Sequence, residues 1–142
     1  MIVVDASVAV KWFVPEPGED AAQQLLAGGD LLFAPALIRI EVAGAILRYF
    51  REGAIKEDRA RSALADWDRL LSEALVRQID NDQLYADAIA VSLDSRHALN
   101  DCFYLAAARM LGASVITADI PMHKRGKLAY DRISLLAGIN PH

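Results

Sequence analysis

The chain has 142 residues, of which 54% are hydrophobic, and its 15 Lys and Arg residues against 19 Asp and Glu residues give a net charge of −4. A chain of this length buries roughly 68–70% of its unfolded surface, and so apolar a composition excludes intrinsic disorder. The acidic balance disfavours a protein that grips duplex DNA through a broad basic face. It leaves a nuclease open, because a metal-binding acidic pocket contributes negative charge of its own.

The sequence also indicates where the protein works. Cys102 is the single cysteine, so no disulfide forms within the chain, which fits a reducing compartment. Met1 leads directly into an apolar stretch without a basic n-region or a cleavage site, so we expect no signal peptide. No apolar run approaches the ~20 residues of a membrane-spanning helix. We therefore expect a cytoplasmic protein and one domain over residues 1–142.

The N-terminal stretch Ile2–Val4 consists of β-branched apolar residues that run straight into Asp5. Such a run suits a strand buried on both faces of a parallel sheet. Ligands of open parallel sheets bind at the carboxyl edge, which is where Asp5 would lie. A short helix is predicted over Ser7–Phe13, with Ser7 as its N-cap, and Pro15–Gly18 ends it.

Helical segments dominate the next part of the chain. A helix is predicted over Glu19–Ala27, followed by a short apolar strand at Leu31–Ala34. Two long helices, from about Leu37 to Glu52 and from Lys56 to Glu73, are predicted to form a helical hairpin over about 37–73. Apolar residues recur at helical spacing on the first helix at Val42, Ala43, Ile46, Leu47 and Phe50, and on the second at Ala60, Ala63, Leu64, Trp67, Leu70 and Leu71.

Strands and helices continue to alternate towards the C-terminus. The predicted elements are a weak strand Ala74–Ile79, a helix capped by Asn81 or Asp82 that ends near Asp94, an alanine-rich helix Cys102–Leu111, a buried strand Ser114–Thr117, a polar basic stretch His123–Lys127 and an edge strand Arg132–Leu136. This alternation predicts right-handed crossovers and an α/β fold. We expect three layers, α/β/α, around a mostly parallel sheet of four to five strands.

Four acidic residues are predicted to meet at one edge of this sheet. Asp5 and Asp119 follow the two clearest buried strands, and Glu41 and Asp101 lie near the N-termini of two helices. Taken singly, each has a simpler interpretation as an N-cap, a dipole-complementing charge or a turn residue. The joint pattern favours a site, because no Lys or Arg is adjacent in sequence to Asp5 or Asp119.

Electrostatics favours a cation among these carboxylates. Two unit charges about 5 Å apart at an effective dielectric of ~20 repel by roughly 3 kcal/mol. Several such pairs need raised pKa values or a bound cation. Carboxylate oxygens suit Mg²⁺ or Mn²⁺, and such ions activate a water and stabilise the leaving oxygen of a phosphodiester.

Four short motifs in this order resemble a PIN domain, and most closely a VapC-type ribonuclease toxin of a bacterial toxin–antitoxin pair. The motifs are Val4-Asp5-Ala6-Ser7, Glu41-Val42, Asp101-Cys102-Phe103-Tyr104-Leu105-Ala106 and Ile116-Thr117-Ala118-Asp119. The resemblance implies that a catalytic quartet binds Mg²⁺ or Mn²⁺ and that two hydroxyls support it. These residues are Asp5, Glu41, Asp101 and Asp119, with Ser7 and Thr117 as the supporting hydroxyls.

The resemblance also implies an RNA substrate, cleaved in single-stranded or loop regions, and a small antitoxin protein as partner. A homodimer or a hetero-oligomer with the antitoxin is expected. An antitoxin strand or helix would cover the groove beside the helical hairpin, with Trp12 and Tyr49–Phe50 as apolar anchors. The segment Ile120–His123 departs from the family pattern, where a charged or aromatic pair is usual, and this puts a further acidic ligand there in doubt.

The remaining candidates have competing interpretations. Lys124 and Arg125 are candidates for contacts with RNA phosphates, although a charge run is more often a solvated face. Trp12 lines a groove or packs in the core, and Trp67 belongs to the core or to a dimer interface. His97 and His123 lack the spacing of metal ligands, and we assign them no role.

The function predicted from the sequence is that of a metal-dependent endoribonuclease that leaves a 5′-phosphate and a 3′-hydroxyl. The alternative is a non-catalytic, acidic, Mg²⁺-binding signalling or protein-interaction module such as a receiver domain. That alternative wants an acidic neighbour for Asp5 and a late Lys after the last strand, and neither is present. A phosphatase using Asp-x-Asp is disfavoured because Ser7 occupies the second position. A nuclease fold that has lost activity and only binds a partner stays open.

Overall fold

A five-stranded sheet organises the computed structural model, which describes residues 1–138. Its strands are β1 Ile2–Val4, β2 Leu32–Pro35, β3 Val76–Ile79, β4 Ser114–Thr117 and β5 Ile133–Leu135. The spatial order is β3-β2-β1-β4-β5, and every neighbouring pair is parallel. The central β1 pairs Val3 with Phe33 on one side and with Val115 on the other. The predicted parallel α/β sheet is confirmed.

Helices flank this sheet. They are α1 Ala6–Ala9, α2 Glu19–Ala27, α3 Ile38–Arg51, α4 Glu57–Ser72, α5 Asn81–Ser95, α6 Leu99–Leu111 and α7 Ile120–Gly126. A 3₁₀ turn over Val10–Trp12 extends α1, and another over Leu136–Gly138 follows β5. Within residues 1–138, no helix is both long enough and apolar enough to cross a bilayer.

The strand order places a crevice beside β1. The chain builds β2 and β3 on one side of β1 and then crosses over to build β4 and β5 on the other. Where the order reverses, the connections leave neighbouring strands in opposite directions and open a crevice at the carboxyl edge. Asp5 follows β1 directly, and Asp119 lies two residues beyond the end of β4. Both acids therefore belong to this crevice.

The helix α6 lies across the centre of the molecule. The run Cys102–Ala108 is buried without interruption, because α6 packs on β1, β2 and β4 and is itself covered by α5 and α7. Alanines at 106–108 allow close approach to the sheet. As a crossover helix between parallel strands, α6 begins at their carboxyl edge. Asp101 lies in its first turn and so faces the same crevice as Asp5.

Three aromatic rings join the N-terminal segment to the α3–α4 hairpin. The ring centroids of Trp12 and Trp67 are 6.4 Å apart, and those of Phe13 and Trp67 are 5.8 Å apart. Trp12 Nε1 donates to the carbonyl of Ala22 and Trp67 Nε1 to that of Arg39, so the polar edges of both indoles are satisfied. Trp12 is 7% exposed, so its interpretation as a groove residue is wrong and the core interpretation is confirmed.

The predicted N-caps of α1 and α5 are wrong, and so is the interpretation of Asp101 as the N-cap of α6. Asp5, not Ser7, occupies the N-cap position of α1, and Ser7 lies inside the helix. The helix α6 begins at Leu99, so Asp101 is an interior residue of its first turn rather than a cap. The cap of α5 is Asp80, whose carboxylate accepts from the amide of Asp82. In each case the chain enters the helix earlier than expected.

The basic stretch after β4 forms a helix that the sequence analysis did not predict. Asp119 is the N-cap of α7 and accepts a hydrogen bond from the amide of Met122. Pro121 lies in the first turn, where its missing N–H costs nothing. An acidic cap followed by proline is a helix-start signal, and the run of basic residues obscured it.

The buried face of α3 is rotated from the predicted one. Ile38, Val42 and Ile46 are fully buried, whereas Leu47 and Phe50 are 41% and 38% exposed. The helix carries more apolar residues than one face accommodates, so the pattern alone did not single out the correct stripe.

Candidate active site

A cleft of about 400 Å³ opens at the carboxyl edge of the sheet, beside the ends of β1 and β4. All four predicted acids line it: Asp5, Glu41, Asp101 and Asp119. They reach it from the end of β1, from α3, from α6 and from the start of α7. The structure thus brings together side chains that are up to 114 positions apart in the chain (119 − 5).

Asp5 is the most deeply buried of the four carboxylates, with 4% of its surface exposed. Its Oδ2 accepts hydrogen bonds from Ser7 Oγ at 2.5 Å and from Thr117 Oγ1 at 2.9 Å. Burial raises the pKa of Asp5 from 3.8 to about 6, the negative charge of Asp101 adds to the rise, and the two hydroxyls oppose it. At neutral pH the ionised carboxylate of Asp5 is therefore held in a buried site that disfavours its charge.

Ser7 and Thr117 link the segment after β1 to the segment after β4. Ser7 Oγ accepts from the amide of Ala118 at 2.9 Å, and Thr117 Oγ1 accepts from the amide of Asp119 at 3.0 Å. Because both hydroxyls also donate to Asp5, one network fixes the acids on the two strands relative to each other. A supporting role of these two hydroxyls in catalysis stays a prediction.

Glu41 is anchored by a buried residue of α6. Tyr104 Oη donates to Glu41 Oε1 at 2.5 Å. Burial raises the pKa of Glu41 from 4.5 to about 7; the hydrogen bond from Tyr104 lowers it, and the charges of Asp5 and Asp101 raise it further. Burial and the same carboxylates raise the pKa of Tyr104, so its hydroxyl keeps the proton that it donates.

Asp101 is paired with a residue to which the sequence analysis assigned no role. His97 Nε2 lies 2.6 Å from Asp101 Oδ2, and the side chains are 8% and 26% exposed. The spacing of four residues at the start of a helix is the one signal that pointed to this contact.

Each of the four carboxylates is held through a single oxygen. The side-chain or capping hydrogen bonds described for residues 1–138 go to Oδ2 of Asp5, Oε1 of Glu41, Oδ2 of Asp101 and Oδ1 of Asp119. Proteins commonly orient metal ligands in this way, with outer groups holding the atoms that do not face the ion. In the same residues, no three acidic, imidazole or thiol groups already stand at coordinating distance from one point.

Two cations lie on the cleft, and neither was predicted. Lys11 Nζ donates to Glu16 Oε1 at 3.1 Å and to the carbonyl of Pro17 at 2.8 Å, and the hydroxyl of Tyr49 donates to the other oxygen of Glu16. Arg48 is exposed, lines the cleft and forms no ion pair within residues 1–138.

The two basic residues predicted to bind substrate lie elsewhere. Lys124 and Arg125 are exposed on the last turns of α7. Neither is among the described residues that line the cleft. A contact between them and RNA outside the cleft stays a prediction.

The fold is an open parallel α/β sheet, a class that binds its ligands in the crevice where the strand order reverses, and here that crevice gathers four carboxylates. The chain matches the model of the PIN domain family over residues 2–128. It therefore belongs to the PIN domain family, and the resemblance to that family is confirmed.

Two individual proteins extend this comparison. Ribonuclease VapC3 of Pyrobaculum aerophilum is 27% identical over 118 residues, which cover 83% of this chain and 88% of that protein. A chain of a toxin-antitoxin complex from Klebsiella pneumoniae has a TM-score of 0.63 at 17% identity, covering 100% of this chain and 98% of that chain. The similarity to the Klebsiella pneumoniae chain shows that the two chains share a fold.

Proposed function

We propose that this protein is a metal-dependent endoribonuclease that hydrolyses phosphodiester bonds in RNA and serves as the toxin of a toxin–antitoxin pair. The observation that carries the proposal is the convergence of four carboxylates on one cleft. Family membership supports it, as does the likeness to Ribonuclease VapC3 and to a chain of a toxin-antitoxin complex.

The cofactor that we infer is Mg²⁺ or Mn²⁺. The donor set fits such an ion, because it is made of carboxylate oxygens. The charge of Asp101 raises the pKa of Asp5, and the charges of Asp5 and Asp101 raise the pKa of Glu41. Asp5, Asp101 and Asp119 would hold the ion, with Glu41 as a further ligand. When bound, the cation supplies activation of a water and neutralisation of charge on the phosphate.

The residues of the chain itself account for orientation and proton handling. The hydroxyls of Ser7 and Thr117 fix Asp5, so its second oxygen has a defined direction. Glu41 is held at Oε1 by Tyr104, so its Oε2 is left to face the cation or to orient a water.

Arg48 is the residue that we assign to the substrate backbone. An RNA strand approaching four carboxylates is repelled, and a nearby cation offsets that repulsion. Arg48 lies on the same helix as Glu41, about two turns further on, and lines the cleft without an ion pair in the described part of the chain. Its guanidinium suits a two-pronged contact with a phosphate.

The antitoxin that we infer would cover the groove between the α3–α4 hairpin and the cleft. Phe50 is 38% exposed and is available as an anchor. Tyr49, a second predicted anchor, is half-buried and donates its hydroxyl to Glu16. Trp12, the third, is buried in the core, and we assign its role to Leu47 on α3, which is 41% exposed. An arginine from the partner would pair with the carboxylates. A homodimer stays a prediction.

The experiment that tests the nuclease uses a panel of RNAs incubated with the wild-type protein and with Asp5→Asn, with and without Mn²⁺. We expect cleavage only by the wild type with metal, leaving a 5′-phosphate and a 3′-hydroxyl. A 2′,3′-cyclic phosphate product contradicts the hydrolytic mechanism. Expression of the gene tests the toxin separately: growth arrest, relieved by the protein encoded beside it, supports the toxin. If expression is harmless but the purified protein cuts RNA, the toxin proposal is refuted and the nuclease proposal stands.

A further inference from the structure

The contact between His97 and Asp101 has a consequence for metal binding. We propose that His97 is a positioning residue that fixes the orientation of Asp101 and thereby strengthens the binding of a divalent cation in the cleft. This inference rests on the function proposed above. His97 does not line the cleft, so it acts through Asp101.

The geometry around the imidazole determines which atom donates. Nε2 is 2.6 Å from Asp101 Oδ2, whereas Nδ1 is buried without a hydrogen-bond partner within the described residues. A buried N–H without an acceptor costs more than a buried lone pair without a donor, because the N–H is an obligatory donor. Nε2 therefore carries the proton that is donated to Asp101 Oδ2.

The backbone of His97 is held in place from α5 and α6. Ser92 Oγ donates to the carbonyl of His97 at 2.7 Å, and the amide of His97 donates to Ser95 Oγ at 3.3 Å. The thiol of Cys102 contacts the same carbonyl at 3.7 Å. Arg96 just before it has a φ of 56°, so the chain turns sharply after α5. The imidazole thus projects from a fixed backbone rather than from a loose connection.

Without the hydrogen bond from His97, the carboxylate of Asp101 can adopt other orientations. It lies in the first turn of α6, where a carboxylate readily turns to bond the free amides of its own helix. The hydrogen bond to Oδ2 keeps the side chain away from that position and leaves Oδ1 for a ligand. Outer groups of this kind typically change metal affinity or activity by about 10–100-fold when removed.

The test compares three variants by calorimetric titration of the metal-free protein with Mn²⁺. We expect His97→Leu to weaken Mn²⁺ binding by about 10–100-fold. His97→Gln, whose amide nitrogen replaces Nε2 as a donor, should bind Mn²⁺ nearly as well as the wild type. The matched control is His123→Leu on α7, which is outside the cleft lining and should leave Mn²⁺ affinity unchanged.

A rescue experiment separates positioning from a structural role. If His97 acts on metal affinity, raising the Mn²⁺ concentration restores RNA cleavage by His97→Leu. If His97 only stabilises the fold, urea denaturation shows the loss while the Mn²⁺ affinity of the folded fraction is unchanged, and the proposal is overturned. Equal Mn²⁺ binding by wild type and His97→Leu overturns it as well.

A measurement on the wild type keeps the inference testable if His97→Leu does not fold. Nitrogen-15 NMR of the imidazole should show the tautomer protonated at Nε2, with a hydrogen bond from that atom. A ring protonated only at Nδ1 overturns the proposal. A wild-type protein that shows this tautomer but binds no Mn²⁺ and cuts no RNA instead refutes the proposed function.

Discussion

The hydroxyl of Tyr104 donates a hydrogen bond of 2.5 Å to Oε1 of Glu41, a residue 63 positions away in the chain. This bond joins the two helices that supply acids to the cleft, α3 and α6. It favours the ionised form of Glu41, against the burial and the neighbouring charges that raise the pKa of Glu41 to about 7. Tyr104 therefore keeps part of the Glu41 population ionised at neutral pH.

Substitution Tyr104→Phe should raise the pKa of Glu41 above about 7, because it removes a donor to the carboxylate and leaves the burial unchanged. We expect RNA cleavage at neutral pH to fall by about tenfold, because a hydrogen bond to a charged group contributes about 1.5 kcal/mol, and to recover partly as the pH rises. The pH dependence of cleavage at fixed Mn²⁺ measures this shift. Tyr130→Phe is the control, since its hydroxyl bonds the carbonyl of Ala113; an unmoved profile in Tyr104→Phe contradicts the role.

Asp5→Asn should stabilise the metal-free protein at neutral pH. Folding raises the pKa of Asp5 from 3.8 to about 6, so the folded state binds a proton more tightly than the unfolded state and loses stability as the pH rises between these values. A shift of this size corresponds to roughly 3 kcal/mol when Asp5 is fully ionised. Asparagine carries no charge and can still accept from Ser7 and Thr117.

Urea denaturation in a chelator measures the effect. The gain for Asp5→Asn should be largest above about pH 7 and should vanish below about pH 4. Mn²⁺ should stabilise the wild type more than the variant, because the cation offsets the buried charge. Asp68→Asn, an exposed acid paired with Arg39, is the control and should change stability little. A variant less stable than wild type at neutral pH would refute the electrostatic account of Asp5.

Arg48→Ala should weaken RNA binding while leaving the metal site intact. We expect KM for RNA to rise by about tenfold, the equivalent of one charge-assisted contact of about 1.4 kcal/mol, with little change in Mn²⁺ affinity. The dependence of KM on salt should become less steep, since one phosphate contact is lost. Arg51→Ala, at the end of the same helix, is the matched control. A larger effect from Lys124→Ala or Arg125→Ala would instead favour the basic residues predicted from sequence.

The sequence predicts those features whose cause is local. Runs of β-branched residues identify β1 and β4, and the acid after each strand follows from the chain direction in a parallel sheet. The strand pattern alone is therefore enough to place Asp5 and Asp119 at one edge. Glu41 and Asp101 join them there because their helices start at that same edge.

The features that the sequence did not predict depend on contacts between distant segments. Glu16 lies in a loop that lines the cleft, and Lys11 and Tyr49 contact it from two other elements. Tyr104 is indistinguishable in sequence from the buried residues around it. The spacing of four residues between His97 and Asp101 indicates a contact, but it does not identify His97 as part of a metal site. Which of these side chains contact each other is determined by the tertiary fold and cannot be predicted from the local sequence.

Thr117→Val separates the hydroxyl of Thr117 from its shape. Thr117 is fully buried, donates to Asp5 and accepts from the amide of Asp119. Valine fills the same volume but leaves that amide without its acceptor, at a cost of about 1–3 kcal/mol in the free energy of unfolding. Loss of the donor should also raise the pKa of Asp5 above about 6 and weaken Mn²⁺ binding near that pH.

The matched control is Thr117→Ser, which keeps the hydroxyl and removes a methyl group. Urea denaturation and Mn²⁺ titration together decide the question. If the hydroxyl matters, serine should retain Mn²⁺ affinity close to that of the wild type while losing about 1 kcal/mol of stability from the missing methyl group. Valine should keep the packing of the methyl group but bind Mn²⁺ more weakly than the wild type. Equal Mn²⁺ affinity in the two variants would mean that Ser7 alone orients Asp5 and that Thr117 contributes only to the core.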